Sequence, residues 1–235
     1  MLGSFAGSMN AAGLLSRMAY RHLCVGLAPL RLHLSRFANR VPAGLVAAPT
    51  DLRAIDPYFA EELLRGRIAL AGRVVETGGA SPFQIEYPSA VFEERLHAFS
   101  WLRHIRSDKS SEACKRARRI VAEWMGFHGK RLTGTAWSPE IAAQRLIAWL
   151  SHSPVVLFEA DAGFYRRFLK SIGLHVRYLE RIAKHAPDGE ARLKIRIALA
   201  MASIAMPTRL SRINRNGVKL AQEMERQILP DGGHV

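Results

Sequence analysis

Cysteine is almost absent from this chain: Cys24 and Cys114 are the only two in 235 residues. They have no metal-like spacing, so neither a disulfide framework nor a zinc site is expected, and both read as plain buried thiols. Acid is missing from the first fifty residues, whose charged side chains are Arg17, Arg21, Arg31, Arg36 and Arg40. Long apolar runs are missing too. The stretch 23–30 contains Gly26 and Pro29 and is far short of the roughly 20 residues a membrane-spanning helix needs. Residues 1–9 carry no Lys or Arg, so the basic start of a secretory signal is lacking and a cytoplasmic location is expected. The chain contains no nucleophile elbow, P-loop, HExxH or dinucleotide fingerprint, so no cofactor and no metal are expected and catalysis by this segment alone has no motif behind it.

What is present is apolar and basic. Hydrophobic residues make up 49% and aromatics 8%, ample for a core. The 34 Lys and Arg outnumber the 20 Asp and Glu, for a formal charge of +14, which favours an acidic partner: nucleic acid, an anionic membrane surface or an acidic polysaccharide. Residues 1–50 read as a basic amphipathic segment that packs on the domain or makes peripheral membrane contact. Residues 45–49 read as a linker, which suggests that 1–50 can be removed without unfolding 51–235.

The periodicity predicts an all-α fold with one short strand-like segment at 68–75, where Ile68 to Val75 alternate around Gly72. Phe92, Leu96, Phe99 and Leu102 mark one apolar face, and Ala113, Ala117, Ile120, Val121 and Trp124 a second. Ser138-Pro139-Glu140 opens a helix to about Leu150, with an N-cap hydroxyl expected at Ser138. Phe164, Phe168, Ile172, Val176 and Leu179 mark the next. Leu193, Ile197, Met201 and Ile204 follow, and Val218, Ala221, Met224 and Ile228 mark the last. Successive hairpins of similar length point to a solenoid or a curved toroid.

Three groups of residues could carry a site. His97, Trp101 and His104, at i, i+4 and i+7, share one helix side, where an indole between two imidazoles suits a sugar. Trp101 is accordingly expected to face sugar rather than the deep core. Arg145 lies among apolar neighbours near the core boundary, placed either to bind a carboxylate or to tie helix ends together. Gln227, Asp231 and His234 gather where the last helix stops at Pro230 and the turn Asp231-Gly232-Gly233-His234 begins; a site is expected to open there, and the sequence reads as cut short.

The run Gly66-Arg67-Ile68-Ala69-Leu70-Ala71-Gly72, the Ser81-Pro82-Phe83 turn, the stretch Leu96-His97-Ala98-Phe99-Ser100-Trp101-Leu102-Arg103, Arg145 with Trp149-Leu150, and Arg226-Gln227-Ile228-Leu229-Pro230-Asp231-Gly232-Gly233-His234 together resemble the amino-terminal region of bacterial heparinase II/III family proteins. That resemblance implies an incomplete α/α toroid over 51–235, followed by a β-sandwich domain, with a uronate-containing polysaccharide between them. It implies β-elimination, in which the carboxylate is neutralised, a base removes the C5 proton and an acid protonates the leaving oxygen. His234 is then the catalytic or charge-neutralising candidate, His97, Trp101, His104, Arg145, Gln227 and Asp231 the substrate-binding ones, and the segment is inactive by itself. Two rival readings are a nucleic-acid-binding helical module using Lys115, Arg116, Arg118 and Arg119, although no specific nucleic-acid motif is present, and a helical scaffold for a protein partner or membrane.

Overall fold

A computed structural model describes residues 41–105, 110–186, 188–229 and 232–233, together with Ser16, Met18, Ala19, Tyr20, Leu23, Gly26 and Leu27. Cys24, Asp231, His234 and the five arginines of the first fifty residues lie outside the described residues. Cys114 is a buried thiol outside any disulfide, as expected.

The chain is built from helices: α1 (Phe59–Leu64), α2 (Ala90–Ala98), α3 (Leu102–Ile105), α4 (Ser111–His128), α5 (Pro139–Ser151), α6 (Ser153–Val156), α7 (Ala162–Ile182), α8 (Glu190–Ala205) and α9 (Leu210–Gln227). One antiparallel hairpin, β1 (Arg67–Leu70) with β2 (Arg73–Glu76), sits after α1 and pairs Ile68 with Val75, on the predicted segment. Its two turn residues both have positive φ, Ala71 at 54° and Gly72 at 71°, the type I′ geometry that matches strand twist. Alanine is strained there. Ala71→Gly is expected to stabilise the protein by about 0.5–1 kcal/mol, read as a raised urea midpoint.

The predicted apolar faces of α4 and α7 are the buried ones. α5 lies deepest. It packs against α2, α7 and α8, and Ile141, Ala142, Ala143, Arg145, Leu146, Ala148, Trp149, Leu150 and Ser151 are all buried. Its start at Pro139 is as expected, yet Ser138 makes no side-chain cap; the acid in the first turn, Glu140, complements the helix dipole instead. Layered helix hairpins of this kind form the all-α, lyase-like partial toroid the periodicity suggests.

Three elements depart from expectation. In α8, which packs on α5, the predicted face of Leu193, Ile197, Met201 and Ile204 is only half-buried, with Ile204 54% exposed, and the buried side carries Ile195, Ala198, Leu199 and Ala202 instead. The stretch 96–103 is not one helix. α2 ends at Ala98, Phe99 takes a left-handed conformation (φ 58°), and α3 begins at Leu102. The i, i+4, i+7 argument for His97, Trp101 and His104 therefore does not hold. In α9 the period is right and the side is wrong. Asn216, Glu223 and Gln227 are buried, whereas Val218 is 56% and Met224 42% exposed. The helix docks on α8 through its polar edge, where Asn216 Nδ2 donates to Leu199 O at 3.2 Å.

Residues 42–46 run along the toroid. Pro42 lies against Gly173, where an added Cβ would meet Pro42 Cδ at 3.0 Å. Val46 N donates to Ala205 O at 2.8 Å, closing the end of α8, and Leu45 N donates to the Tyr165 hydroxyl. Removal of residues 1–40 is expected to leave the melting temperature nearly unchanged. Removal of 1–50 cuts these contacts and is expected to lower it by several degrees, corresponding to roughly 1–2 kcal/mol.

Candidate functional site

A groove of about 590 Å³ opens where the first turns of α5 and α8 meet the β1–β2 hairpin and the α2–α3 corner. Its walls carry Arg53, Arg95, Arg103, His104, Trp101, Gln144 and Lys194, along with Glu94, Glu140 and Glu190. Two helix N-termini face it, and each has its own acid in the first turn. Lys194 Nζ bridges those acids at 2.5 Å from both Glu140 and Glu190. Burial works against its charge, but the two carboxylates hold its pKa above the ordinary lysine value.

The arginines form a gathered set. Arg53 Nη2 meets Asp51 Oδ2 at 2.7 Å, and Asp51 also reaches His152 Nε2 at 3.2 Å across the end of α5. The hydrogen bond from Arg53 holds the Asp51 carboxyl far below the usual carboxylate range, against the effect of burial. Arg103 donates from Nε to Ala54 O at 3.1 Å and from Nη1 to Ser100 O at 3.2 Å. Burial lowers its pKa, as do the charges of Arg53 and Arg95 beside it. His104 Nδ1 accepts from the Asp56 backbone N–H at 2.8 Å, which puts the ring proton on Nε2. Burial, and then Arg103, keep this ring neutral.

The site residues expected from sequence separate into distinct places. Trp101 is 2% exposed. It stacks on Phe59, donates from Nε1 to Leu96 O at 3.3 Å and shows only an edge to the groove. His97 and Arg145 lie together in the core, away from the groove lining. His97 Nδ1 accepts from Trp124 Nε1 at 3.0 Å. Arg145, 0% exposed, donates from Nε to His175 Nε2 at 2.9 Å and from Nη1 to His97 O at 3.0 Å. Its guanidinium carbon lies 3.9 Å from the Trp124 ring centroid. Among the described residues no acid meets it, and Nη2 has no hydrogen-bond partner. Arg145 thus ties helices together through ring faces and ring nitrogens rather than through a carboxylate. Gln227 is buried on Glu223 at the end of α9.

The α9 terminus is tied to the start of α8. Arg226 and Arg192 share Asp188, just before α8, at 2.7 and 2.6 Å. The chain then turns, with Gly232 N donating to Leu229 O at 2.8 Å and Leu229 N to Gly233 O at 2.7 Å. Arg53, Arg95, Arg103 and Lys194 are not marked by any sequence pattern: they come from three separate stretches, Arg53 before α1, Arg95 and Arg103 on the consecutive α2 and α3, and Lys194 on α8. On the basic run of α4, Lys115 pairs with Glu112 and Arg119 with Glu123, while Arg118 donates to the Phe158 carbonyl and keeps its charge. Among the described residues no cluster of three or more His, Cys, Asp or Glu could hold a metal, and no helix is long and apolar enough to cross a membrane.

The buried histidines make stability pH-dependent. Burial, helped by His128 and Arg145, pushes His97 down to about 3, and burial with Arg145 lowers His175 far below its ordinary value. An unfolded histidine takes up a proton near pH 6.5, whereas these folded ones do not until much lower pH. Their contribution is therefore complete above about pH 6.5 and is lost as pH falls from there, at up to about 1.4 kcal/mol per pH unit per histidine. The urea midpoint is expected to drop clearly between pH 7.5 and 5.5; a flat profile would contradict neutral burial.

No protein-family model matches the chain. FtsZ-localized protein C of Caulobacter vibrioides is 26% identical over 204 residues, which is 86% of this chain and 35% of that protein. The crystal structure of heparan sulfate lyase HepC from Pedobacter heparinus superposes with a TM-score of 0.60 at 16% identity, over 99% of this chain and 39% of that one. The chain thus spans little more than a third of the length of each protein, and the likeness to the lyase is one of fold: its helices follow those of a polysaccharide lyase.

Proposed function

We propose that this helical region holds an acidic, uronate-containing polysaccharide in the groove between the α5 and α8 N-termini. The observation that carries the reading is the set Arg53, Arg95 and Arg103, whose mutual charge adds to burial in depressing the Arg103 pKa, placed on one groove wall of a lyase-like toroid. Guanidinium forks match carboxylates and sulfates bidentately. Gln144 and His104 supply hydroxyl partners, and the edge of Trp101 supplies an apolar strip. Elimination needs a base and an acid around one ring in addition to charge neutralisation. The groove supplies neutralisation; His234, the next residue in the sequence after Gly233, is the proposed further catalytic group. The isolated chain is expected to bind without cleaving.

Titration calorimetry with heparan sulfate oligosaccharides tests this. Arg95→Gln with Arg103→Gln is expected to weaken binding at least tenfold, with no unsaturated uronate absorbance from wild type or His234→Ala. Unchanged affinity in the double variant would overturn the reading. A second reading, a helical module for a protein partner, is favoured by the similarity to a protein described as FtsZ-localized. Co-sedimentation with FtsZ polymers by a chain that ignores the glycan would select it.

A further inference from the structure

A second groove, of about 750 Å³, lies at the other end of α8 and has no acid in its lining. Lys194 marks the first groove and Met206 the second, so the two are separated by roughly 18 Å of helix at 1.5 Å per residue. The floor is apolar, made by Pro42, Val176, Met206 and Pro207, and the rim carries Arg177, Arg209, Arg212 and Arg215. Arg212 is tied to Glu180 at 2.5 Å; among the described residues, the ion pairs include no partner for Arg177, Arg209 or Arg215. Burial and the neighbouring Arg181 oppose the charge on Arg177 and outweigh the support it has from Glu180. The 18-residue α9 begins at this rim with no side-chain cap and no acid in its first turn.

The charge extends beyond the rim. On α7, Lys170, Arg177 and Arg181 fall at i, i+7 and i+11, one helical row. Beyond the end of that row, Tyr20 meets the His185 ring edge-on, 5.9 Å between centroids. Met18, Tyr20, Leu23 and Leu27 have helical backbone and are exposed, Tyr20 by 60%. Large apolar side chains in water beyond the end of this row, and an arginine-rich rim in which Glu180 is tied to Arg212, form the two halves of an interfacial membrane site: one enters the headgroup region, the other pairs with phosphates.

We infer that this face, made of the α7 row, the start of α9 and the helical residues around Tyr20, docks on an anionic lipid bilayer. The toroid then lies with its polysaccharide groove turned away from the bilayer. A neutral bilayer offers the arginines nothing, and a soluble anion offers the apolar residues nothing, so both features together select the charged membrane surface.

The test is flotation of the full chain with phosphatidylglycerol vesicles, phosphatidylcholine vesicles as control, and heparan sulfate binding measured in parallel. Arg177→Glu/Arg209→Glu/Arg215→Glu is expected to weaken vesicle binding about a hundredfold or more and to leave glycan affinity unchanged. Added salt weakens the same step. Because the triple variant alters a half-buried arginine, a second variant combines Lys170→Glu, in the α7 row, with Lys184→Glu, in the turn after α7 beside His185; both residues are exposed, and about a tenfold loss is expected. Equal binding to both vesicle types, or full binding by both variants, overturns the inference. So does loss of heparan sulfate binding with vesicle binding intact, which would make the groove a polysaccharide subsite. Failure of the Arg95/Arg103 variant to affect glycan bears on the other groove alone.

Discussion

Arg145→Ala is expected to cost about 4 kcal/mol or more, a large share of the roughly 5–15 kcal/mol that holds a typical domain together. The substitution empties a fully buried space between α2, α5 and α7, and leaves the His175 Nε2 and His97 carbonyl acceptors unpaired. It also strips the cation from the Trp124 and Trp137 faces, 3.9 and 5.2 Å away. Arg145→Met separates the contributions: it refills volume without a charge, and a desolvated cation with no carboxylate partner is the kind of group a hydrophobe replaces at small net cost. Urea unfolding of both variants checks this. A loss below about 1 kcal/mol for the alanine variant would show that the box closes on itself without the guanidinium.

The second large effect is expected at Trp124. Trp124→Ala should cost about 3–5 kcal/mol, because the indole touches Phe99, Trp137, Trp149, His128 and His175 and also donates to His97 Nδ1. Trp124→Phe keeps most of the packing and loses the hydrogen bond, for about 1–2 kcal/mol. Arg145 and Trp124 share one contact, so their double variant should lose less than the sum of the two. Trp101→Ala is expected to approach the Trp124→Ala loss, since Trp101 is buried as well. Equal losses would mean that Trp101 acts by shaping the groove wall and not by covering a sugar.

Periodicity carried far along this chain, and its failures have physical causes. Ala117, Ile120 and Trp124, like Phe168, Ile172 and Leu179, could be placed inward because an apolar stripe has to be buried. The strand-like segment was legible from the alternation around Gly72, but its division into two paired strands by a turn at Ala71 and Gly72 was not. The end of α2 was not, since the residue that breaks the helix is Phe99, with no Gly, Asn or Pro to announce a left-handed turn. The side of α9 was not legible either. A period states that two faces differ, while the choice of buried face lay with Asn216 on the Leu199 carbonyl and Gln227 on Glu223, pairings between or within helices that no spacing encodes. Arg145 was recognisable as an arginine among apolar neighbours; that its partners are histidines and indoles follows from α2 and α7 folding over it. Both grooves draw their cations from distant segments, which is why a pass along the sequence misses them.

All four tryptophans, Trp101, Trp124, Trp137 and Trp149, lie in the core, and this placement makes the protein its own optical probe. Trp124, Trp137 and Trp149 each touch the His175 ring, with centroids 5.6, 4.6 and 5.1 Å away. A charged imidazole quenches indole emission and a neutral one does so far less, so intrinsic fluorescence should stay blue-shifted and bright while His175 is uncharged. Emission should dim as acid reaches that ring, and shift to the red only when the helices separate. Brightness and colour then read two different events, proton entry and unfolding, from the same sample.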